Sequence, residues 1–350
     1  MCAAHVGQKQ SGREQPVLVD LALQGGGSHG AFTWGVLDRM LQESWVRIEA
    51  VSGTSAGAMN AAVMIAGYEE GGPDGARASL EGFWRRNADA ARFSPFRRAP
   101  LDVLAGRWTL DNSPFYFVAD MVGRVFSPYD LNPTGLNPLR DVLADSIDFS
   151  RLARSKMHLF VTATNVHTGR GRVFRNEEIT PDVLLASACL PTMFQAIEID
   201  GEPYWDGGYA GNPTITPLVR DCESRDTIIV QINPVVRSNV PRSAQEIHNR
   251  LNEISINASL LKELRMLALL RKVVDPGKGE GARWAGMRIH RIASAALEGL
   301  GASSKLNAEW DFLCMLRDEG RRSAVQFHEE HGRVLGHASS FDIDELLTLV

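Results

Sequence analysis

A serine framed by glycines, Gly53-Thr54-Ser55-Ala56-Gly57, follows a run from Val46 to Val51 that is apolar except at Arg47 and Glu49, and passes straight into Ala58-Met59-Asn60-Ala61-Ala62-Val63-Met64-Ile65. The order reads as strand, sharp turn, helix. It puts a hydroxyl on a strained elbow at a helix N-terminus, where amides and the helix dipole favour developing negative charge. Side chains at Gly53 or Gly57 would crowd that turn. The chemistry served is attack by Ser55 on a carbonyl carbon. The plain alternative is a Ser/Gly loop in which Thr54 or Ser55 merely caps the helix.

A second glycine cluster meets the same need. Val17 to Leu23 reads as a short buried strand running into Gln24-Gly25-Gly26-Gly27-Ser28-His29-Gly30, with a helix from Ala31 onward. Bare backbone N–H groups at Gly25, Gly26, Gly27 and Ser28 suit an oxyanion hole facing Ser55. The rival is a dinucleotide fingerprint, Gly25-x-Gly27-x-x-Gly30, which wants a carboxylate near the end of the second strand. Only Glu49 is available, and that strand ends in the serine elbow instead.

Ser55 needs a base. An α/β-hydrolase places several strands before its serine and supplies Asp and His after it. Here one strand precedes the elbow's own strand. None of the nine histidines sits in a strand-end loop with an acid partner, and His158, His290, His328 and His331 read as ordinary helix, strand or surface residues. Asp206 stands out in Tyr204-Trp205-Asp206-Gly207-Gly208, where an aromatic pair delivers a carboxylate into a double glycine. On its own this is also a common Asp-Gly turn.

In their order, Gly25–Gly30, Gly53–Gly57 and Asp206-Gly207-Gly208 resemble the patatin-like phospholipase family, as does Leu185-Ala186-Ser187-Ala188-Cys189-Leu190-Pro191-Thr192-Met193-Phe194. The resemblance covers about residues 17 to 220. It implies a three-layer α/β/α fold and a lipid acyl hydrolase with a Ser–Asp dyad and no histidine. Ser55 would be the nucleophile, Asp206 the proton acceptor and the Gly25–Ser28 backbone the oxyanion hole. Two positions depart from the family pattern. Gln24 stands where an acid is frequent, and His29 stands where Arg or Lys is usual, which removes a fixed positive charge beside the oxyanion loop. A carboxylate base also predicts that turnover falls at low pH.

Leu159 to Ala163 and Thr227 to Ile232 read as further buried strands, and their alternation with helices indicates a mostly parallel α/β sheet. The glycine and serine sites then fall at strand carboxyl ends. Residues 80 to 150 read as irregular loops with short helices, a wall for an acyl pocket. Residues 245 to 274 form a long amphipathic helix with Ile247, Leu251, Ile254, Ala258, Leu261, Leu264 and Ala268 on one stripe. That stripe packs on the domain or a second subunit, or lies on a membrane surface. Residues 275 to 286 read as a linker, and about 306 to 331 as a helix completing the core. The expected division is a disordered tail at 1–15, a catalytic domain at 16–235 and a mainly helical extension at 236–350.

Composition agrees. The 350 residues are 44% apolar and 23% charged with a net charge of −5, which gives no reason to expect nucleic acid. Cys2, Cys189, Cys222 and Cys314 have no metal or disulfide spacing, and the reading calls for no metal and no cofactor. No stretch reaches the roughly 18 apolar residues of a membrane span, so the expectation is a cytoplasmic protein with peripheral membrane contact at most. The partner implied is a fatty-acyl ester. The competing classes are a nucleotide-binding oxidoreductase or regulatory domain and a catalytically dead lipid-binding relative. The intact Ser55 and Asp206 count against the last.

Overall fold

The computed structural model describes residues 15–237, 239–273 and 279–348; apart from Gln15, the tail expected at 1–15 lies outside them. Eight strands form one sheet: β1 Val17–Leu23, β2 Val46–Gly53, β3 His158–Asn165, β4 Gly171–Arg175, β5 Ile197–Ile199, β6 Glu202–Asp206, β7 Asp226–Val230 and β8 Arg288–Ile292. They pair in the order β5-β6-β3-β2-β1-β7-β8, with β4 also on β3. The β1–β2, β2–β3, β1–β7 and β7–β8 pairs are parallel, whereas β4 and β6 run antiparallel to β3.

The alternation of each strand sorts its side chains to two apolar layers. Val19, Leu21 and Leu23 of β1 and Ile228 and Val230 of β7 join a cluster with α1 (Gly30–Met40), α2 (Ala56–Ala90) and the helix Trp310–His331. Ala22 of β1 and Ile229 of β7 face the opposite way, onto Leu218, Leu260, Leu264, Leu267 and Trp284. This is the mostly parallel, three-layer α/β/α arrangement. The C-terminal helix docks closely on α1 because side chains are absent at the crossing. A methyl at Gly35 would overlap the Arg317 carbonyl oxygen, and one at Gly320 would overlap that of Phe32.

Several elements differ from expectation. The segment Gly279–Ala285, read as linker, is helical and buries Trp284, since Ala, Arg and Glu favour helix once a core face is available. The strand β8, within the segment read as helical, lengthens the same sheet. α2 reaches Ala90, kinked at Gly71 and Gly72, so the irregular region begins later than residue 80. The helix Ala244–Val273 buries a different stripe over its first half. Glu253, Asn257, Leu260, Leu264, Leu267 and Ala268 face inward, while Ile247, Leu251 and Ile254 stay exposed. The inward face is polar there because it meets the polar surroundings of the serine elbow.

One buried carboxyl supports a stability prediction. Asp20 on β1 is fully buried, and its pKa is pushed up to about 8, chiefly by burial with Glu49 adding, against the backbone of Ala50 and the charge of Arg283. The folded state therefore holds the proton that the unfolded chain releases near pH 4, so this group costs stability as pH rises from about 4 to 8. Asp20→Asn should be more stable than wild type by about 2–4 kcal/mol at pH 8, with the gap shrinking toward pH 4. Urea unfolding at both pH values checks this; a gap independent of pH would contradict it.

Candidate active site

Ser55 occupies the tip of the elbow with φ 54° and ψ −124°, a conformation that costs a non-glycine residue energy and is held by its surroundings. Its N–H donates to Ser187 Oγ at 2.9 Å, and Ser187 donates in turn to the Thr162 carbonyl at 2.7 Å. Thr54 Oγ1 donates to the Gly211 carbonyl at 2.7 Å. The elbow also packs without room for side chains at its glycines. A methyl at Gly57 would overlap the Leu23 carbonyl, and one at Gly53 would lie 2.7 Å from the Ala58 nitrogen. α2 begins at Ala56, directly under the serine.

The sheet delivers the carboxylate. Phe160 of β3 pairs with both Arg175 and Ser52, and Ala163 pairs with both Arg172 and Asp206. Since β4 occupies one edge of β3, β2 and β6 share the other. β6 thus takes the edge that β2 vacates at the elbow, and its last residue, Asp206, arrives beside Ser55. The close approach needs Gly207, where a methyl would overlap the Thr162 carbonyl oxygen. Asp206 is buried, its N–H bonds the Cys189 carbonyl at 2.8 Å, its carbonyl accepts from Thr164 at 2.8 Å, and its Oδ1 accepts from the Gly208 N–H at 2.7 Å. The Ser55 hydroxyl lies close enough to the same carboxylate to favour its charged form. Burial pushes the Asp206 pKa up to about 7, against the Gly208 N–H, the nearby Ser55 hydroxyl and the charge of Lys305.

The third glycine element closes the site. A methyl at Gly25 would lie 2.7 Å from Ser55 Cβ, and one at Gly30 would lie 2.6 Å from Ala56 Cβ, so the loop presses on the elbow. The Gly25 N–H is taken by Asn212 Oδ1 at 2.6 Å. That makes Gly25 an anchor, which refines its expected place among the oxyanion donors. Among the described residues no acceptor takes up the N–H groups of Gly26, Gly27 or Ser28. Gln24 is the hub behind them. Its Oε1 accepts from Ile232 N, Asn233 N and Asn233 Nδ2, and its Nε2 donates to the Asn212 carbonyl and Asn257 Oδ1. A carboxylate at this position would have no proton to give those two acceptors. His29 is buried, bonds Ser304 Oγ at 2.8 Å, and has its pKa driven down to about 3 by burial and then by Lys305 and Arg237. It is neutral and contributes no fixed charge.

Sequence reasoning assigned no role to Ser187, Asn212, Asn233 or Lys305. Ser187 lay within a motif already singled out. The others are single polar residues far apart in the chain, with no spacing to mark them.

Another Ser-His-Asp set exists elsewhere. His290 Nδ1 lies 2.9 Å from Ser340 Oγ and its Nε2 lies 3.0 Å from Asp226 Oδ1. It sits at the amino ends of the parallel strands, opposite Ser55, and His290 is wholly buried. Asp226 is also bonded by Arg288 and by the Gly336 N–H. Burial works against its charge, yet these partners and His290 hold its pKa below the ordinary carboxylate range. This cluster ties residues 336–340 to the sheet edge. His158 is exposed at the start of β3, His331 ends the C-terminal helix, and His328 lies against Trp45 and Glu43.

Among curated proteins none matches the chain. Among solved structures, VipD from Legionella pneumophila aligns with 91% of this chain and 67% of its own, at 15% identity and a TM-score of 0.39. A model of the patatin-like phospholipase family matches residues 21–219, a span that includes the elbow, the glycine loop and the Asp206 turn. With more than half of its 350 residues matched, the chain belongs to the patatin-like phospholipase family, whose general activity is lipid acyl hydrolysis.

Proposed function

We propose that this protein is a serine acyl hydrolase of the phospholipase A, lysophospholipase or carboxylesterase type, working through a Ser55–Asp206 dyad and an acyl-enzyme. The observation that carries the reading is the strained Ser55 at the start of α2, with its hydroxyl next to a buried Asp206 carboxylate. Asp206 takes the Ser55 proton as Oγ attacks the ester carbonyl. The tetrahedral oxyanion meets the N–H groups of Gly26, Gly27 and Ser28, each well-placed donor contributing about 3–4 kcal/mol. Collapse returns the proton to the leaving alcohol and leaves the acyl group on Ser55. Asp206 then deprotonates a water that attacks the acyl carbonyl; the fatty acid leaves and the proton goes back to Ser55. The nucleotide reading is disfavoured, because the glycine loop lies against Ser55 and spends the Gly25 N–H on Asn212.

The substrate is presented at a lipid surface. Among the described residues no helix is long and apolar enough to cross a membrane. Residues 93–136 nevertheless expose Phe93, Leu101, Leu104, Phe117, Val125 and Leu136. This stretch adjoins the site on two sides. Leu110 N bonds Ser303 Oγ next to the His29 contact, and Tyr129 and Asn132 bond residues 195–196 beyond Cys189. The exposed Arg92, Arg97 and Arg107 make no ion pair among the described residues, which suits anionic headgroups.

Turnover of short- and long-chain p-nitrophenyl esters and of a phospholipid panel tests the activity. Leu101→Glu with Leu104→Glu should cut hydrolysis of anionic vesicles about 10-fold and leave a soluble short-chain ester nearly unaffected. Equal losses on both substrates would contradict surface docking, and no hydrolysis of any ester would contradict the enzyme reading.

A further inference from the structure

Lys305 is a cation beside the active site that the mechanism above does not use. It lies outside the family-matched residues, in the turn Ala302–Leu306 that leads to the C-terminal helix. Its stem is partly accessible, but its ammonium is enclosed, and burial lowers its pKa despite the nearby Glu253 and Asp206. A desolvated ammonium is costly unless it serves an anion. Nζ donates to Asn233 Oδ1 at 2.7 Å, and Asn233 Nδ2 donates to the Gly25 carbonyl at 2.7 Å. The backbone is engaged too, since a methyl at Gly27 would lie 2.5 Å from the Lys305 carbonyl oxygen. The next residue back, Ser304, holds His29.

The acidic groups around Lys305 are not equally available to it. Glu253 is already paired with Arg237 at 2.6 Å and Arg250 at 3.1 Å. The charges that act on Lys305 are Arg237 on one side and Glu253 and Asp206 on the other, and His29 is neutral. With Glu253 engaged by its two arginines, the active-site carboxylate of Asp206 is the anion left for Lys305 to serve.

We propose that Lys305 is a positioning residue of this hydrolase: through Asn233 it fixes the Gly25–Ser28 backbone, and its charge favours both the ionised Asp206 and the oxyanion formed at Ser55. The proposal rests on the Ser55–Asp206 reading and adds a residue from outside the matched region to it. It also accounts for how the site tolerates a neutral His29. The other groups near Asp206 stay uncharged in the working range, because burial raises both Cys189, to about 12, and Tyr209.

The test compares Lys305→Met, Lys305→Arg and wild type in kcat and in the pH dependence of kcat/KM for a soluble ester. Removing the charge should lower kcat about 10- to 100-fold. It should also move the acid limb to higher pH by about one unit, because Asp206 loses the cation that favours its ionised form. Arginine should restore the limb and much of kcat. A limb that stays in place in a folded Lys305→Met protein, whether or not kcat falls, would overturn the proposal and leave Lys305 a strut. If the methionine variant does not fold, Lys305→Gln repeats the comparison with a polar, uncharged chain. Ser55→Ala run in parallel separates the failures. Turnover surviving there sinks the dyad reading itself, whereas an inactive Ser55→Ala beside a normal Lys305→Met sinks only this inference.

Discussion

Ser55→Ala should lose at least about 10⁴-fold in ester turnover while keeping its melting temperature within a degree or two. The backbone at position 55 is held by the Ser187 hydroxyl, the Thr54 contact with Gly211 and the glycine packing, none of which uses the Ser55 hydroxyl. Alanine tolerates the positive φ no better and no worse than serine does. The hydroxyl faces the Asp206 carboxylate, so its loss falls on chemistry. Circular dichroism melts alongside steady-state kinetics check both halves. Near-wild-type turnover, or a collapse in stability, would contradict the assignment.

Asp206→Asn should cost about 10³- to 10⁴-fold, because an amide cannot accept the serine proton. The amide oxygen can still accept from the Gly208 N–H, so the turn survives. Stability should move the other way from activity. A carboxyl whose pKa is raised from 3.8 to about 7 penalises the folded state as pH climbs through that interval, and asparagine removes the penalty. Asp206→Asn is therefore expected to be inactive and, at pH 8, no less stable than wild type.

The same pKa revises the expectation of a loss confined to low pH. With Asp206 near 7, the acid limb falls where a histidine base would put it. A pH profile alone does not separate dyad from triad; substitutions do. Replacing His158 or His331 should leave turnover unchanged. Replacing His290 should lower the melting temperature, because it breaks a buried contact with Asp226, while the folded fraction keeps its specific activity.

The elements that position the serine were readable because their signals are strong and local. β1 and β2 carry short stretches of apolar residues into glycine-rich turns, and each turn leads into a helix. The carriers of Asp206 were harder. β4, β5 and β6 are three to five residues long, half-exposed and antiparallel, so neither periodicity nor length marks them. That β6 occupies the edge of β3 beyond β2 is a property of the register, which no single segment encodes. β8 carries Arg288, His290 and Arg291 and reads as polar, yet its buried side is paid for by the Asp226 network. The stripe of the helix Ala244–Val273 misled for a related reason. Apolar spacing selected Ile247, Leu251 and Ile254, whereas the buried line there is Glu253 and Asn257, whose partners are Arg237, Arg250, Gln24 and Pro234. Buried polar networks invert the pattern on which amphipathic reading depends.

The central claim is that Asp206 activates Ser55 with no histidine between them. Fluorophosphonate labelling at pH 8, followed as a rate and mapped by peptide mass spectrometry, tests it most directly, since the reagent requires an activated nucleophile and needs no knowledge of the natural lipid. The expected result is a single adduct on Ser55, none in Ser55→Ala, and labelling slowed about 10³-fold in Asp206→Asn. An adduct on Ser340 or another residue, or an Asp206→Asn protein labelled at the wild-type rate, would contradict the account.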